Sequence, residues 1–394
     1  PAAEAKPTIE EVLVIARYSD SLNKAMADKF FAHQQKDIMH ADNLGKLPAI
    51  NLADALNSKP GVAVERDRGE ALFLSINGLP SEFNQLTINA LPVATNENSR
   101  TSEQYGSRFH YDLMPIELAQ SVEINKTAMA SDYEGAIGGS VNITTHQPLN
   151  SAKQSPHNQL KLALNHSTLA NKNGYDLAWL HTWLNEQNTF GITAIVNLAQ
   201  KHIRQDRFLT FDWLSDKLYY AGNMRPTLEN ELRQNQAASL SMQWQITEQL
   251  EWMVNYIHLQ QKVDYTESSY SADYALQDLN FANLNIVDNK LLAGATNNGA
   301  VQIGYESTQL ANSSYLLDNN LNWQNDNWQS ALTIRLSNAA SATDEPIKRT
   351  RFRIKQGVEF SFELPANYHS AKPNLIYHNV DLTDASLFPG RRLE

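Results

Sequence analysis

From Ala238 to Ile246 the chain alternates without error: Ala238, Leu240, Met242, Trp244 and Ile246 are apolar, and Ser239, Ser241, Gln243 and Gln245 between them are polar. Successive side chains of an extended strand point to opposite faces, so this segment has one wholly apolar face and one wholly polar face. The same period appears in Leu160, Leu162 and Leu164 and in Ile192, Ala194, Val196 and Leu198. It returns with a lapse or two in Leu250, Trp252, Val254 and Tyr256, in Tyr315, Leu317, Leu321 and Trp323, and in Trp328, Leu332, Ile334 and Leu336. The chain beyond about residue 150 is therefore predicted to form antiparallel strands. Two environments accept such strands: a soluble β-sandwich, or a barrel whose apolar face meets lipid.

The connections separate these two. Polar links at 185–188, 247–249 and 325–327 are three or four residues long, and the intervening ones, about 204–235 and 266–313, read as long. Alternate connections of a meander lie on the same edge, so short turns are predicted at one rim and long loops at the other. Outer-membrane barrels have that asymmetry, and sandwiches do not sort their loops by length. Trp and Tyr near the strand ends agree with it.

Charge and composition exclude other classes. The 32 basic against 43 acidic residues, a net −11, leave no broad basic field, so nucleic acid is not expected as a partner. With no cysteine, disulfides, thiolate metal sites and cysteine nucleophiles are all excluded. His33 and His40 with Asp37 and Asp42 lack a ligand-like spacing and read as solvated side chains. No metal or cofactor is expected, and no catalytic motif is found. No run approaches the roughly 18–20 apolar residues of a membrane helix, whereas a membrane strand needs only about 9–11. The opening Pro1-Ala2-Ala3-Glu4, without a charged and apolar leader, suits a processed exported chain.

The first 150 residues have a different texture. A helical turn over 52–56 stops before Pro60-Gly61, strand-like segments follow at 61–64, 72–76 and 86–88, and a glycine turn at 135–139 runs into a strand over 141–145. This predicts a compact α+β domain ending near Gln147-Pro148-Leu149.

Its motifs resemble, in order, those of the TonB-dependent outer-membrane receptor plug domain. Glu10, Glu11, Val12, Leu13, Val14, Ile15 and Ala16 resemble the TonB box. Leu52-Ala53-Asp54-Ala55-Leu56 followed by Pro60-Gly61-Val62 resembles a plug motif, and Ser75-Ile76-Asn77-Gly78 stands where the family usually has Ile-Arg-Gly. Glu134-Gly135-Ala136-Ile137-Gly138-Gly139 resembles its closing glycine motif. The wording around residues 65–70 and 80–84 is similar to a proteobacterial subgroup often linked to oligosaccharide uptake. Departures are Asn77 for the usual Arg, which removes an expected ion pair, and Pro80 and Ala90 where glycines are common.

The resemblance implies an N-terminal periplasmic segment over 1–17, a plug over 18–149 and barrel strands over 150–394. A 22-stranded wall needs roughly 550 residues, and about 244 follow Asn150, room for about eight strands, so the chain is expected to be the leading part of a longer receptor. The implied activity is TonB-dependent import of an oligosaccharide, or else of a ferric siderophore, in the outer membrane, with TonB and its inner-membrane energising complex and membrane lipid as partners and no enzymatic step. A passive porin or adhesin is the alternative of another class. Physically, the 10–16 segment can add as a strand to a partner's sheet edge. Asn77, Gly78, Gly135, Gly138 and Gly139 are expected to be structural, with the glycine turn leading the chain into the barrel wall. Arg100, Tyr105, Arg108, His110 and Tyr111 of the plug and Trp213, Tyr219 and Tyr220 of the outer loops are the candidate ligand contacts, because rings stack on sugar faces and Arg donates hydrogen bonds.

Overall fold

The computed structural model describes residues 22–41, 51–95, 108–130, 132–151, 156–215, 218–280, 283–366, 372–388 and 390–393. Seven short strands build the first unit: β1 (Lys36–His40), β2 (Val62–Asp67), β3 (Glu70–Ile76), β4 (Asn84–Ile88), β5 (Leu91–Pro92), β6 (Ala119–Asn125) and β7 (Gly139–Thr145). Five of them form a sheet in the order β1-β6-β7-β4-β5, and β2 and β3 make a separate hairpin. The helical turn Leu52–Leu56 is capped by Asn51, whose side chain accepts from the Asp54 amide at 3.0 Å, and four of its five residues are buried. Leu52, Leu56, Leu74, Ile76, Leu118, Ile124 and Ile143 are fully buried and form the core between turn, hairpin and sheet.

The second unit is one continuous wall. Its strands are β8 (His157–Ser167), β9 (Lys172–Leu184), β10 (Phe190–Ser215), β11 (Tyr219–Thr247), β12 (Leu250–Asp273), β13 (Asn285–Val287), β14 (Lys290–Gln324), β15 (Gln329–Glu363), β16 (Asn374–Tyr377) and β17 (Gly390–Leu393). The path β8-β9-β10-β11-β12-β14-β15-β16 is antiparallel between every neighbouring pair, and β13 and β17 pair off it.

The faces of this wall are inverted relative to a soluble protein. On β11 the polar Ser239 (6%), Ser241 (1%) and Gln243 (2%) are buried, and the apolar Leu240 (39%), Trp244 (42%) and Ile246 (38%) are exposed. In water that arrangement forfeits burial of every large side chain on the face; against hydrocarbon it is the favourable one. Nine residues of tilted strand give a band about 22–25 Å tall. Aromatic rings border the band near the short turns: Trp183 and Phe190 lie 6.2 Å apart, Phe190 and Trp244 6.5 Å, and Trp244 and Trp252 6.5 Å.

Two expectations are corrected. The links at 204–235 and 266–313 are not loops along their length: β10 and β11 stay paired from Phe190↔Trp244 to Ser215↔Tyr219, and β12 pairs with β14 up to Asp273↔Ala300. Above the apolar band both faces are wet, so a strand continues there on backbone bonds without the alternation that betrays it below. The first outward link, 168–171, is also short, so loop lengths do not sort strictly by rim. The glycine motif, in turn, does not lead into the wall. β7 lies inside the plug sheet between β6 and β4, parallel to β4, and the wall begins at His157.

Candidate functional site

Hydrogen bonds and ion pairs line the seam between the plug and the polar face of the wall. At one end, the two-residue turn between β4 and β5 places Asn89 (φ 50°) and Ala90 (φ 63°) in the left-handed region, as tight hairpins of this kind require. β5 is a sheet edge, so its carbonyls lack strand partners. Arg335 of β15 fills that need: Nη1 donates to the Leu91 carbonyl at 2.5 Å and the Pro92 carbonyl at 3.1 Å, and Nη2 to the Ile88 carbonyl at 2.7 Å. The same guanidinium is held by Asp318, its register partner on β14, which receives Nε at 2.5 Å and is itself fully buried. Asn89 also donates to Asp318 at 3.4 Å.

At the other end the β2–β3 hairpin presents Arg68 (φ 51°) beside Gly69 (φ 81°). Arg68 Nε donates to Glu229 at 2.8 Å and lies 3.3 Å from Glu231, both on β11. Arg207 also pairs with Glu229, and Arg233 bonds Glu231 at 2.8 Å and the plug's Asp112 at 3.3 Å. Lys201 adds a pair to Glu70 at 3.1 Å. Positive and negative groups alternate across the seam, so each buried charge has an opposite neighbour, as burial demands. Sequence reading missed this network. Its signal was present, because Glu229, Glu231 and Arg233 share the odd parity of Ser239 and Ser241 and so face inward with them.

Asp112 is the hub on the plug side. Gln261 donates to its carboxylate at 3.0 Å, and Asn235 to its carbonyl at 2.8 Å. Burial raises its pKa, but the His110 hydrogen bond and the charge of Arg233 outweigh that and hold the carboxyl below its ordinary 3.8. A lowered folded-state pKa means the unfolded chain binds the proton more readily. The stability Asp112 supplies is therefore full above pH 3.8 and falls away as pH drops below it. Asp112→Asn is accordingly expected to lower the unfolding free energy more at pH 7 than at pH 3, measured by urea titration; equal losses at both would contradict the pairing.

The remaining candidates fall in three groups. Arg108, His110 and Tyr111 are each less than a tenth exposed. Arg108 sits 3.2 Å from Glu82 and over the Phe73 ring at 5.2 Å, His110 lies 3.6 Å from Asp112, and Tyr111 packs its ring edge on Phe109 at 5.3 Å. They brace the plug and its seam, and Arg108 and His110 also border a small cavity with Asn312 and Ser314 of β14 and Ala340 of β15. Trp213 (43%) and Tyr219 (50%) are exposed at the tip of the β10–β11 hairpin, which the Tyr219 amide ties to the Asn289 carbonyl at 2.8 Å. Tyr220 turns back toward Tyr274, 5.8 Å between ring centres. Glu10, Glu11, Val12, Leu13, Val14, Ile15, Ala16, Arg100 and Tyr105 lie outside the described residues. Of the histidine and aspartate set, Asp42 also lies outside them, and Asp37 is occupied by Lys29 and Lys126.

The plug motif residues occupy tight backbone positions. Asn77 (φ 55°) receives no ion pair. Its amide donates instead to the Lys126 carbonyl at 2.9 Å and the Gly138 carbonyl at 3.2 Å, clasping the turn to the glycine segment. Gly78 (φ 76°) and Gly135 (φ 110°) need the left-handed region, and a Cβ on Gly138 would come 2.3 Å from the Asn84 side-chain oxygen.

The family model described as the TonB-dependent receptor plug domain matches residues 28–140. No curated protein matches. Among solved structures, the chain is similar to the unliganded ferric citrate transporter FecA (10% identity, 89% of this chain, 60% of that one, TM-score 0.38). Others are a ferric enterobactin receptor (PfeA) variant from Pseudomonas aeruginosa (13%, 87% and 61%, 0.35) and the siderophore receptor PirA from Acinetobacter baumannii (13%, 84% and 59%, 0.36). The chain spans about 60% of the length of these structures. Residues 28–140 are thus a TonB-dependent receptor plug domain, seated on the polar face of an antiparallel wall whose apolar face is turned outward.

Proposed function

We propose that the protein takes up a scarce nutrient by energised import: TonB engages residues 10–16 as an added strand, and a pull on that segment shifts the plug along the wall. The observation carrying this reading is the chemistry of the seam. Apart from packing at residues such as Ile195, Ile257 and Leu316, the plug is seated on hydrogen bonds and ion pairs through Arg335, Arg68, Arg233 and Asp112. When such bonds open into water, each lost partner is replaced, and the net cost is about 1.5–3 kcal/mol per bond to a charged group. A greasy seat would instead expose apolar surface along the whole path. A polar seam therefore lets a plug move stepwise under a directed force. The family is one of transport receptors rather than enzymes, and no covalent step is part of the proposal.

The ligand we propose is an oligosaccharide, stacked on Trp213 and Tyr219, whose rings stand in solvent at the outer hairpin tip. A ferric siderophore is the alternative. Deletion of residues 8–17 in the whole receptor decides the mode of transport. Labelled oligosaccharide should still bind cells, and its uptake should fall to background. Uptake unchanged by the deletion would mean a passive pore. Uptake of a labelled ferric siderophore, run in parallel, separates the two ligand classes.

A further inference from the structure

The outward face of the wall carries a polar residue where hydrocarbon should touch it. Across β11, β12, β14 and β15 the row above the aromatic border reads Met242, Val254, Asn319 and Ile334, joined by direct register pairing. Asn319 is exposed on this face, and its side-chain oxygen accepts from the Trp252 indole Nε1 at 2.7 Å. Its amide nitrogen has no partner among the described residues. It opens on a groove of about 250 Å³ lined by Ile246, Trp252, Asn319, Leu321, Leu332 and Ile334.

We propose that this groove binds one phospholipid, its acyl chain lying along the leucine and isoleucine side chains and an ester carbonyl accepting from the Asn319 amide. A donor facing hydrocarbon without an acceptor is costly, so the site selects a neighbour that brings an acceptor to that depth. Asn319 lies one row, two residues or about 5 Å in depth, beyond Trp252 and the aromatic border that marks the interface. Ester carbonyls occupy this boundary between headgroup and chain. A neighbouring protein strand is a poorer fit, since its backbone groups are spent within its own sheet and it would have to bring a polar side chain to this depth. Assigning the lipid to the inner leaflet rests on the receptor reading, in which the short turns face the periplasm.

The test titrates the full receptor in detergent with dioleoyl phosphatidylethanolamine and with its dialkyl ether analogue, which lacks the carbonyls, and counts bound lipid by native mass spectrometry. The natural sequence should bind the ester lipid about fivefold more tightly than the ether, the size of one net hydrogen bond. Asn319→Leu should bind both at the weaker level. Equal binding of ester and ether by the unmodified receptor overturns the proposal, even if the variant fails to fold. A preference for ester that survives Asn319→Leu does so too. A dimer that dissociates on Asn319→Leu would assign the groove to a second copy.

Discussion

Replacing Arg335 with alanine is expected to cost about 3–5 kcal/mol of unfolding free energy, the loss seen when one partner of a buried pair is removed. The reason is what remains behind. Asp318 has no exposed surface, and without the guanidinium its charge keeps, among the described side chains, only the weak 3.4 Å contact from Asn89. The carbonyls of Ile88, Leu91 and Pro92 lose their donor at the same time. Urea unfolding measures the loss, and Arg335→Ala with Asp318→Ala should recover part of it, because the stranded charge is then gone. A loss below about 1 kcal/mol, the level of an exposed pair, would mean the latch does not hold the plug.

The second large effect lies inside the plug. Gly139 adopts φ 146°, and a Cβ there would come 2.7 Å from the Asn125 carbonyl oxygen and 2.8 Å from Ile76. Neither can yield cheaply: the first is backbone of the neighbouring strand β6, and the second is a fully buried core side chain. Left-handed strain and overpacking together put Gly139→Ala at about 2–4 kcal/mol. Gly135→Ala is the internal comparison, since a Cβ at Gly135 meets open space and only the backbone strain applies. Equal losses at the two glycines would remove the packing part of the argument.

What could be read from the sequence follows the range of the interactions. The alternation in 238–246 fixes which side chains share a face, and the structure turns the odd-numbered set inward, toward the plug. The helical turn at 52–56 and the strand after the glycine motif were likewise visible, since caps, prolines and glycines act within a few residues. Arg335 carries no comparable signal. Its partners Ile88, Leu91 and Pro92 lie more than 240 positions earlier and are backbone carbonyls, which no side-chain pattern records. The outward projections of β10, β11, β12 and β14 read as loops for a related reason: where both faces meet water, hydropathy stops reporting the strand.

Arg108, His110 and Tyr111 show how little composition says about burial. Rings and an arginine in a polar stretch suggest a binding surface, yet here they close the plug core and reach Asp112, Glu65 and Glu82. The same residue types at Trp213 and Tyr219 do stand in solvent. The difference comes from tertiary placement.

Labels at two adjacent positions test the central claim, that lipid lies on one face of this sheet and the plug on the other. The chain has no cysteine, so Leu240→Cys and Ser241→Cys each provide a single attachment point for a small fluorophore. In bilayers containing acyl-chain-brominated lipid, the label at 240 should be quenched and the label at 241 should not. Quenching at 241 with protection at 240, or no difference between them, would contradict the account.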